Sequence, residues 1–254
     1  PFTLGAPKDA DASQVMVAAE ITTKKQLMQV NGTTFSFNKR INKALQDARQ
    51  VFRPISGKYI ACYPKDAVLG MFMNVDGRQF LPIMQANKSL QALLTGINTA
   101  IDMDNIIRSI DGNIIISTST SASGQANLSI RAQLKHTNWL TDVGYWKRSC
   151  SPGSTIYDAG PRAYVFDNGN FKYYFGLKTD SSFYCLPHPP SQQPILVTPC
   201  SQISSSVANE IRGKRLALVF NIDALAASRG IKTSGLTTLR SYLGGVNTIV
   251  YILE

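Results

Sequence analysis

The feature of this sequence that most constrains its fold is the alternation of apolar and polar side chains with a period of two residues. Leu128, Ile130, Ala132 and Leu134 alternate with polar neighbours in a segment that we predict to be a strand over 126–135. A strand with one buried and one solvated face has this pattern. A second apolar run precedes it across a turn rich in serine and glycine. The two runs therefore predict a long antiparallel pair with one solvated face.

Two dipeptides predict further hairpins. Asn168-Gly169 lies between segments with alternating aromatic residues, and Asp76-Gly77 lies between two runs rich in β-forming residues. Asn-Gly and Asp-Gly favour tight hairpin turns because these residues tolerate positive φ. The other strands are predicted over 59–63, 68–75, 78–84, 113–119, 215–222 and 246–253.

Helical periodicity is confined to a few segments. Glutamate, a favoured residue on the solvent side of helices, occurs only at Glu20, Glu210 and Glu254, so we expect few long helices. The clearest helix is predicted over 38–53, between a capping residue and Pro54. Further helices are predicted over 89–110 and, more briefly, over 203–212 and 223–229.

These elements predict an α+β fold, in which a mainly antiparallel sheet built from hairpins packs against two or three helices. Residues 1–23 are small and polar, and we interpret them as an extended N-terminal arm of the kind that contacts neighbouring subunits. Residues 24–254 then form a single body. A proline-rich connector over 186–201 is a weak candidate for a domain boundary.

The positive charge is concentrated in one stretch of the chain. The net charge is +10, and residues 24–65 contribute nine lysines and arginines against one acid, Asp47, a net +8. A concentrated basic segment indicates a polyanion-binding surface better than a high isoelectric point does. No apolar run approaches the roughly 18–20 residues of a membrane-spanning helix, so we expect no integral membrane association.

The predicted helix over 38–53 separates its charges from its apolar residues. At about 100° per residue, Ile41, Leu45 and Ala48 fall on one arc. Phosphate backbones bind closely spaced cations through counterion release, so the opposite arc is a candidate nucleic-acid-binding face. Alternatives are a solvated helix whose charges meet acids elsewhere in the fold, or an anionic membrane surface. The candidate binding residues are Lys39, Arg40, Lys43, Arg49 and Arg53.

Aromatic residues beside cations form a second candidate site. Trp146 lies next to Lys147 and Arg148, and Lys172 lies among the aromatics of the Asn168-Gly169 hairpin. Such rings stack on bases in single-strand binders. Alternating aromatics on a hairpin more often face a core or a subunit interface, and we favour that interpretation.

The four cysteines leave several hypotheses open. Cys62, Cys150, Cys185 and Cys200 permit two disulfides in three pairings, or four reduced thiols. Cys185 and His188 have the spacing of a zinc-ligand pair, but a second close pair is missing, so we predict neither metal nor cofactor.

No catalytic motif is present. His136 and His188 are the only histidines and neither lies in a triad motif, while the acids Asp102 and Asp104 would point apart on a helix. The sequence contains no phosphate-binding loop and no dinucleotide fingerprint. We therefore expect a protein that is not an enzyme, with an unfamiliar active site as the less favoured alternative.

The arm, the strand-rich body and the basic helix together favour a structural protein that associates with copies of itself. The specific hypothesis is a viral coat or nucleoprotein-type subunit, located in a virion or the cytoplasm, that contacts nucleic acid without sequence preference. The alternative is a disulfide-stapled secreted or periplasmic component of a secretion or adhesion machine.

Overall fold

The computed structural model describes residues 4–64, 66–87, 91, 101–120, 126–190, 205–228 and 244–253. These residues form one eleven-stranded sheet with helices packed on it, which confirms the predicted α+β class. The strands are β1 Met16–Lys24, β2 Leu27–Phe35, β3 Ala67–Asp76, β4 Ile110–Thr120, β5 Ala126–Leu134, β6 Thr155–Gly160, β7 Ala163–Asp167, β8 Lys172–Leu177, β9 Phe183–Leu186, β10 Leu216–Asn221 and β11 Thr248–Leu253.

The described residues include six α-helices, of which four have only six or seven residues. They are α1 Lys39–Val51, α2 Gly77–Ala86, α3 Met103–Arg108, α4 Val143–Arg148, α5 Ser205–Ile211 and α6 Ile222–Ala227. The short helices exceed the two or three that we expected, because a helix of two turns leaves little periodicity in the sequence. Three 3₁₀ turns complete the list, Ala12–Gln14, Ile60–Cys62 and Asn138–Asp142.

The strand order is β1-β2-β11-β10-β3-β4-β5-β9-β8-β7-β6. Neighbouring strands are antiparallel except β11 and β2, which run parallel. Strands β10 and β11 are the last in the chain, yet they lie between β2 and β3. These two strands therefore connect the β1–β2 hairpin to the rest of the sheet. The two edges of the sheet are β1 and β6.

The two faces of the sheet carry separate cores. We call the first face A. One residue from each strand forms a row across this face, each paired with the next, and the row is apolar except for its last residue. The row is Ile21, Val30, Tyr251, Leu218, Met71, Ile116, Ile130, Cys185, Phe175, Tyr164 and Asp158. Side chains from α2, α3 and α4, including Phe80, Ile106 and Trp146, bury most of this row.

The opposite side, face B, carries a smaller core. Phe72, Ile115 and Ala217 lie on it and contact α5 together with residues 55–63. The helices thus cover both faces of the central strands, which explains why β3 and β10 are nearly continuous apolar runs.

Both hairpins predicted from period-two patterns are confirmed. β4 pairs with β5 in an antiparallel register from Ile110 to Thr120, although residues 121–125 of the turn lie outside the described part. β7 pairs with β8 around Asn168-Gly169, where Gly169 has φ 79°.

The predicted hairpin at Asp76-Gly77 is wrong. Asp76 ends β3 and caps α2, because its carboxylate accepts a hydrogen bond from the Arg78 amide at 2.9 Å. An aspartate before a helical run and an aspartate before a turn satisfy the same orphan amides, so the dipeptide alone does not distinguish them. The segment predicted as a strand over 78–84 is therefore helical.

Two other predicted elements also differ. The strand predicted over 59–63 is a 3₁₀ turn, in which Tyr59, Ile60 and Tyr63 are all buried on face B. Its buried aromatic residues are typical of strands, which is why the sequence predicted one here. The helix predicted over 89–110 falls largely on residues outside the described ranges, and its last part is α3 followed at once by β4.

The N-terminal segment packs on the body of its own chain. Leu4 and Ala6 are buried, and residues 16–24 form strand β1 rather than a free arm. The predicted division between residues 23 and 24 therefore falls within β1. Most of the proline-rich connector lies outside the described residues, which resume at Ser205 after Pro190.

Candidate functional site

The predicted helix over 38–53 is α1, and its amphipathic pattern is confirmed. Asn38 caps it by accepting hydrogen bonds from the amides of Arg40 and Ile41 at 3.0 and 3.3 Å. Ile41 and Leu45 are buried against the N-terminal segment. The opposite side of α1 faces solvent along most of the helix, and the acid Asp47 is exposed there too.

Lys39 and Lys43 lie on this exposed side, one helical turn apart. Neither forms an ion pair with an acid in the described parts of the chain. These two of the five candidate residues are displayed as the sequence predicts.

Arg40 is exposed but paired. Its guanidinium donates to both carboxylate oxygens of Asp9, with distances of 3.2 Å from Nη1 and 2.9 Å from Nη2. This contact lowers the pKa of Asp9 and raises that of Arg40. Because both groups are solvated, the pair can exchange for a phosphate at little cost.

Arg49 and Arg53 turn toward the sheet instead of outward. Arg49 Nη2 donates to the Thr34 carbonyl of β2. Arg53 Nη2 donates to the Val75 carbonyl at 2.6 Å and to Asp111 Oδ1 at 2.7 Å. These two arginines attach the end of α1 to β2, β3 and β4, so the structure separates them from the displayed lysines.

A second group of cations, which sequence reasoning did not bring together, lies on face B. Lys58, Arg131 and Lys178 come from a loop, from β5 and from the end of β8, and Asp180 lies beside Lys58 at 3.4 Å. Burial and the nearby charge of Arg131 lower the pKa of Lys178. No local pattern could have revealed this group, because its members are far apart along the chain.

Tyr59 lies within the same group. Lys58 Nζ is 5.6 Å from the centroid of its ring, and burial raises the pKa of Tyr59 to about 12. The phenol therefore stays protonated at neutral pH and is poorly suited to act as a base.

An open groove of about 920 Å³ lies on face B, at the end of the β1–β2 hairpin. Its charged lining residues balance, with Lys24 and Lys25 against Glu210 and Asp223, and Lys24 Nζ lies 4.0 Å from Glu210 Oε1. The described lining contains neither histidine nor cysteine. A smaller cavity, of about 20 Å³, is lined by apolar core residues.

The two histidines lie in different surroundings. His136 is half-buried just after β5, and His188 is exposed after β9. Cys185, close to His188 in sequence, is fully buried on face A, which raises its pKa to about 12. The described residues include no cluster of three or more side chains that could hold a metal ion.

The cysteines do not support a two-disulfide staple. Cys62, Cys150 and Cys185 are all free thiols. With four cysteines, two disulfides would have to join two of these three, whatever the position of Cys200. The pairing that supported a secreted or periplasmic component is therefore missing from this structure.

The aromatic residues considered for base stacking are mostly in the core. Phe166 and Phe175 are fully buried, and Trp146 stacks on Trp139 with ring centroids 6.1 Å apart. Tyr145, which precedes Trp146, is exposed at 64% of its surface. The core interpretation of the aromatic hairpin agrees with this packing.

Strand β1 at one edge of the sheet is the least covered element. All nine of its residues are exposed, including Met16, Val17 and Ile21, and Ile21 exposes 62% of its surface. Among the described strands β2 is its sole neighbour, so one row of its amide and carbonyl groups has no strand partner. Exposed, apolar and regular edges of this kind are templates for pairing with another chain.

Strand β6 at the other edge is protected. It is six residues long, and its register with β7 shifts between Asp158 and Gly160. Asp158 also forms an ion pair with Lys147 at 2.7 Å. A short, irregular and charged edge resists pairing, so the two edges differ in what they can do.

The fold and its surfaces define a large, mostly antiparallel α+β domain. None of the helices in the described ranges is both long and apolar enough to cross a lipid bilayer. A family model described as a domain of unknown function, DUF4836, matches residues 3–187, and the chain belongs to this family. Searches of curated proteins and of solved structures found no match.

Proposed function

We propose that this chain is a non-enzymatic structural subunit that assembles with further copies of itself. The observation that carries the proposal is the contrast between the two sheet edges. β6 has three features that prevent strand pairing, whereas β1 is nine residues long, regular in its pairing with β2 and apolar in part. A long open edge is retained most readily when a partner covers it in the working state of the protein.

The surface of β1 supports the same proposal. Val17, Ala19 and Ile21 lie on the same side of β1, and Val17 and Ile21 expose 40% and 62% of their surface. Exposed apolar side chains grouped in this way indicate an interaction site more often than scattered single residues do.

A coat or nucleoprotein-type particle is the form of assembly that the basic segment favours. Lys39 and Lys43 present two cations that no described acid pairs, on the exposed side of α1, and Arg40 can join them by releasing Asp9. Phosphate contacts of this kind carry no base information, so nucleic-acid binding is sequence-tolerant and depends steeply on salt.

The proposal is tested by the mass of the purified chain in solution. Multi-angle light scattering over a dilution series is expected to give masses that are multiples of the monomer mass and that fall on dilution. The absorbance ratio at 260 and 280 nm of the same fractions reports co-purified nucleic acid. A chain that is monomeric at every concentration, with and without nucleic acid, contradicts the assembly function.

A further inference from the structure

We propose that two copies of the chain pair through β1 in antiparallel orientation, with Ile21 of one copy opposite Ile21 of the other. The inference rests on the proposed assembly function and specifies its interface. It follows from which main-chain groups of β1 point outward and from which side chains the pairing brings together.

The β1–β2 turn determines the direction of the main-chain groups. Lys24 pairs with Leu27 across a two-residue loop in which Lys25 has φ 54°. The hydrogen bond of such a turn joins residues 24 and 27, so this pair is hydrogen-bonded. Hydrogen-bonded pairs alternate along an antiparallel ladder. The even-numbered residues of β1 therefore bond to β2.

The odd-numbered residues of β1 direct their amide and carbonyl groups to the open edge. These residues are Val17, Ala19, Ile21 and Thr23. An antiparallel partner with the same sequence must place odd residues opposite odd residues, because only these bond outward. In a symmetric pairing the two-fold axis then passes beside one residue of β1, which lies opposite its own copy. The possible registers differ in which residue this is.

Three of these registers overlap in the centre of the strand. With Glu20 opposite Glu20, two like charges meet in a close non-hydrogen-bonded pair, which is unfavourable. With Thr22 opposite Thr22, only residues 20–24 remain paired before the hairpin turn intervenes. With Ile21 opposite Ile21, residues 18–24 remain paired and the glutamates are not opposite one another.

The Ile21 register also continues the core of the sheet. Ile21 is the first residue of the apolar row on face A and lies beside Val30, which packs against the buried cluster. The row ends at Ile21, which is 62% exposed, because no described strand lies beyond β1. A second Ile21 extends the row across the interface, and apolar cross-strand pairs stabilise antiparallel sheets.

The symmetry of this contact limits the assembly at this site to a pair. One partner occupies residues 18–24 of each β1 edge, so the two-fold contact closes and does not propagate. With β1 at the interface, a sheet of two copies has β6 at both of its ends, and β6 is the edge that resists further strand pairing.

The register is tested by single cysteine substitutions at positions 19–23 in the otherwise unchanged chain. After mild oxidation, Ile21→Cys is expected to link most completely to its own copy, as shown by mass spectrometry of the cross-linked peptides. The Cα atoms of a hydrogen-bonded antiparallel pair are about 5.5 Å apart, within the range of a disulfide. The unsubstituted chain, oxidised in parallel, controls for links between native cysteines. Preferred linking of Glu20→Cys or Thr22→Cys overturns the Ile21 register.

A second measurement separates this inference from the proposed function. Ile21→Lys is expected to weaken self-association about tenfold or more, because it replaces an apolar pair with two like charges. Tyr157→Lys on β6 is the matched control and is expected to leave the association unchanged, since Tyr157 is an exposed edge residue at the other end of the sheet. If the chain assembles but Ile21→Lys has no effect, the β1 interface is wrong while the assembly function stands. A chain that never assembles overturns both.

Discussion

At the residue scale, Gly77 shows how a local pattern can be correct about a residue and wrong about its role. A Cβ atom added at this position would lie 1.7 Å from the Ile107 carbonyl oxygen and 3.1 Å from that of Ile110. The glycine is therefore required because the start of α2 touches the main chain between α3 and β4. Its neighbour Asp76 caps the helix.

Gly77→Ala is expected to lower the free energy of unfolding by about 3 kcal/mol or more, because main-chain atoms cannot move aside as a side chain can. The matched control is Gly144→Ala in α4, where the nearest atom to an added Cβ is Arg148 Nη1 at 3.8 Å. That substitution is expected to be neutral or stabilising by up to about 1 kcal/mol. Urea unfolding of both variants measures the difference, and equal stabilities would contradict the close approach at Gly77.

At the element scale, α1 was predicted to within about two residues at each end, because its cap and its apolar arc are local features. The groups that its cations contact were not predictable from local sequence. Arg40 is paired with Asp9, and Arg53 with Asp111, which is 58 positions away in the sequence. A helical-wheel argument gives the angle of a side chain but not the groups that approach it from other elements.

The displayed lysines of α1 lead to a specific expectation for nucleic-acid binding. Lys39→Ser combined with Lys43→Ser is expected to weaken binding to oligonucleotides of unrelated sequence by similar factors. It should also reduce the slope of log K against log salt by about one for each lysine. Fluorescence anisotropy between 50 and 200 mM salt measures both effects, at salt concentrations for which such losses are typically large.

The charge-matched control removes two exposed cations that form no ion pair with a described acid, Arg148→Ser and Arg162→Ser. These lie on α4 and in the turn between β6 and β7, toward the β6 edge of the sheet. If this control reduces the slope as much as the α1 variant does, binding follows net charge and not the exposed side of α1.

At the scale of the whole molecule, the C-terminal strands hold the sheet together. The family match ends at residue 187, just after β9, while β10 and β11 lie between β2 and β3. Without them the β1–β2 hairpin has no strand that connects it to the rest of the sheet. Face B also loses Ala217, Ile252 and the helix α5.

A chain cut after residue 187 is therefore expected not to unfold cooperatively and to bind hydrophobic dyes, because Phe72 and Ile115 become exposed beside two open strand edges. Thermal unfolding followed by circular dichroism, with the full chain as the control, measures this. A cooperative transition in the shortened chain at the temperature of the full chain would show that the family-matched segment folds alone.

Much of the architecture follows from patterns within a few residues of one another. Period-two alternation predicted β5, β7 and β8, and the helical arc predicted α1, because burial on one face imposes a repeat on the sequence. Other features depend on residues brought together from distant parts of the chain. These are the position of β10 and β11 in the middle of the sheet, the pairing of Arg53 with Asp111, and the open edge at β1. Local composition does not encode which strand lies beside which, so only the assembled sheet could identify the edge on which the proposed interface depends.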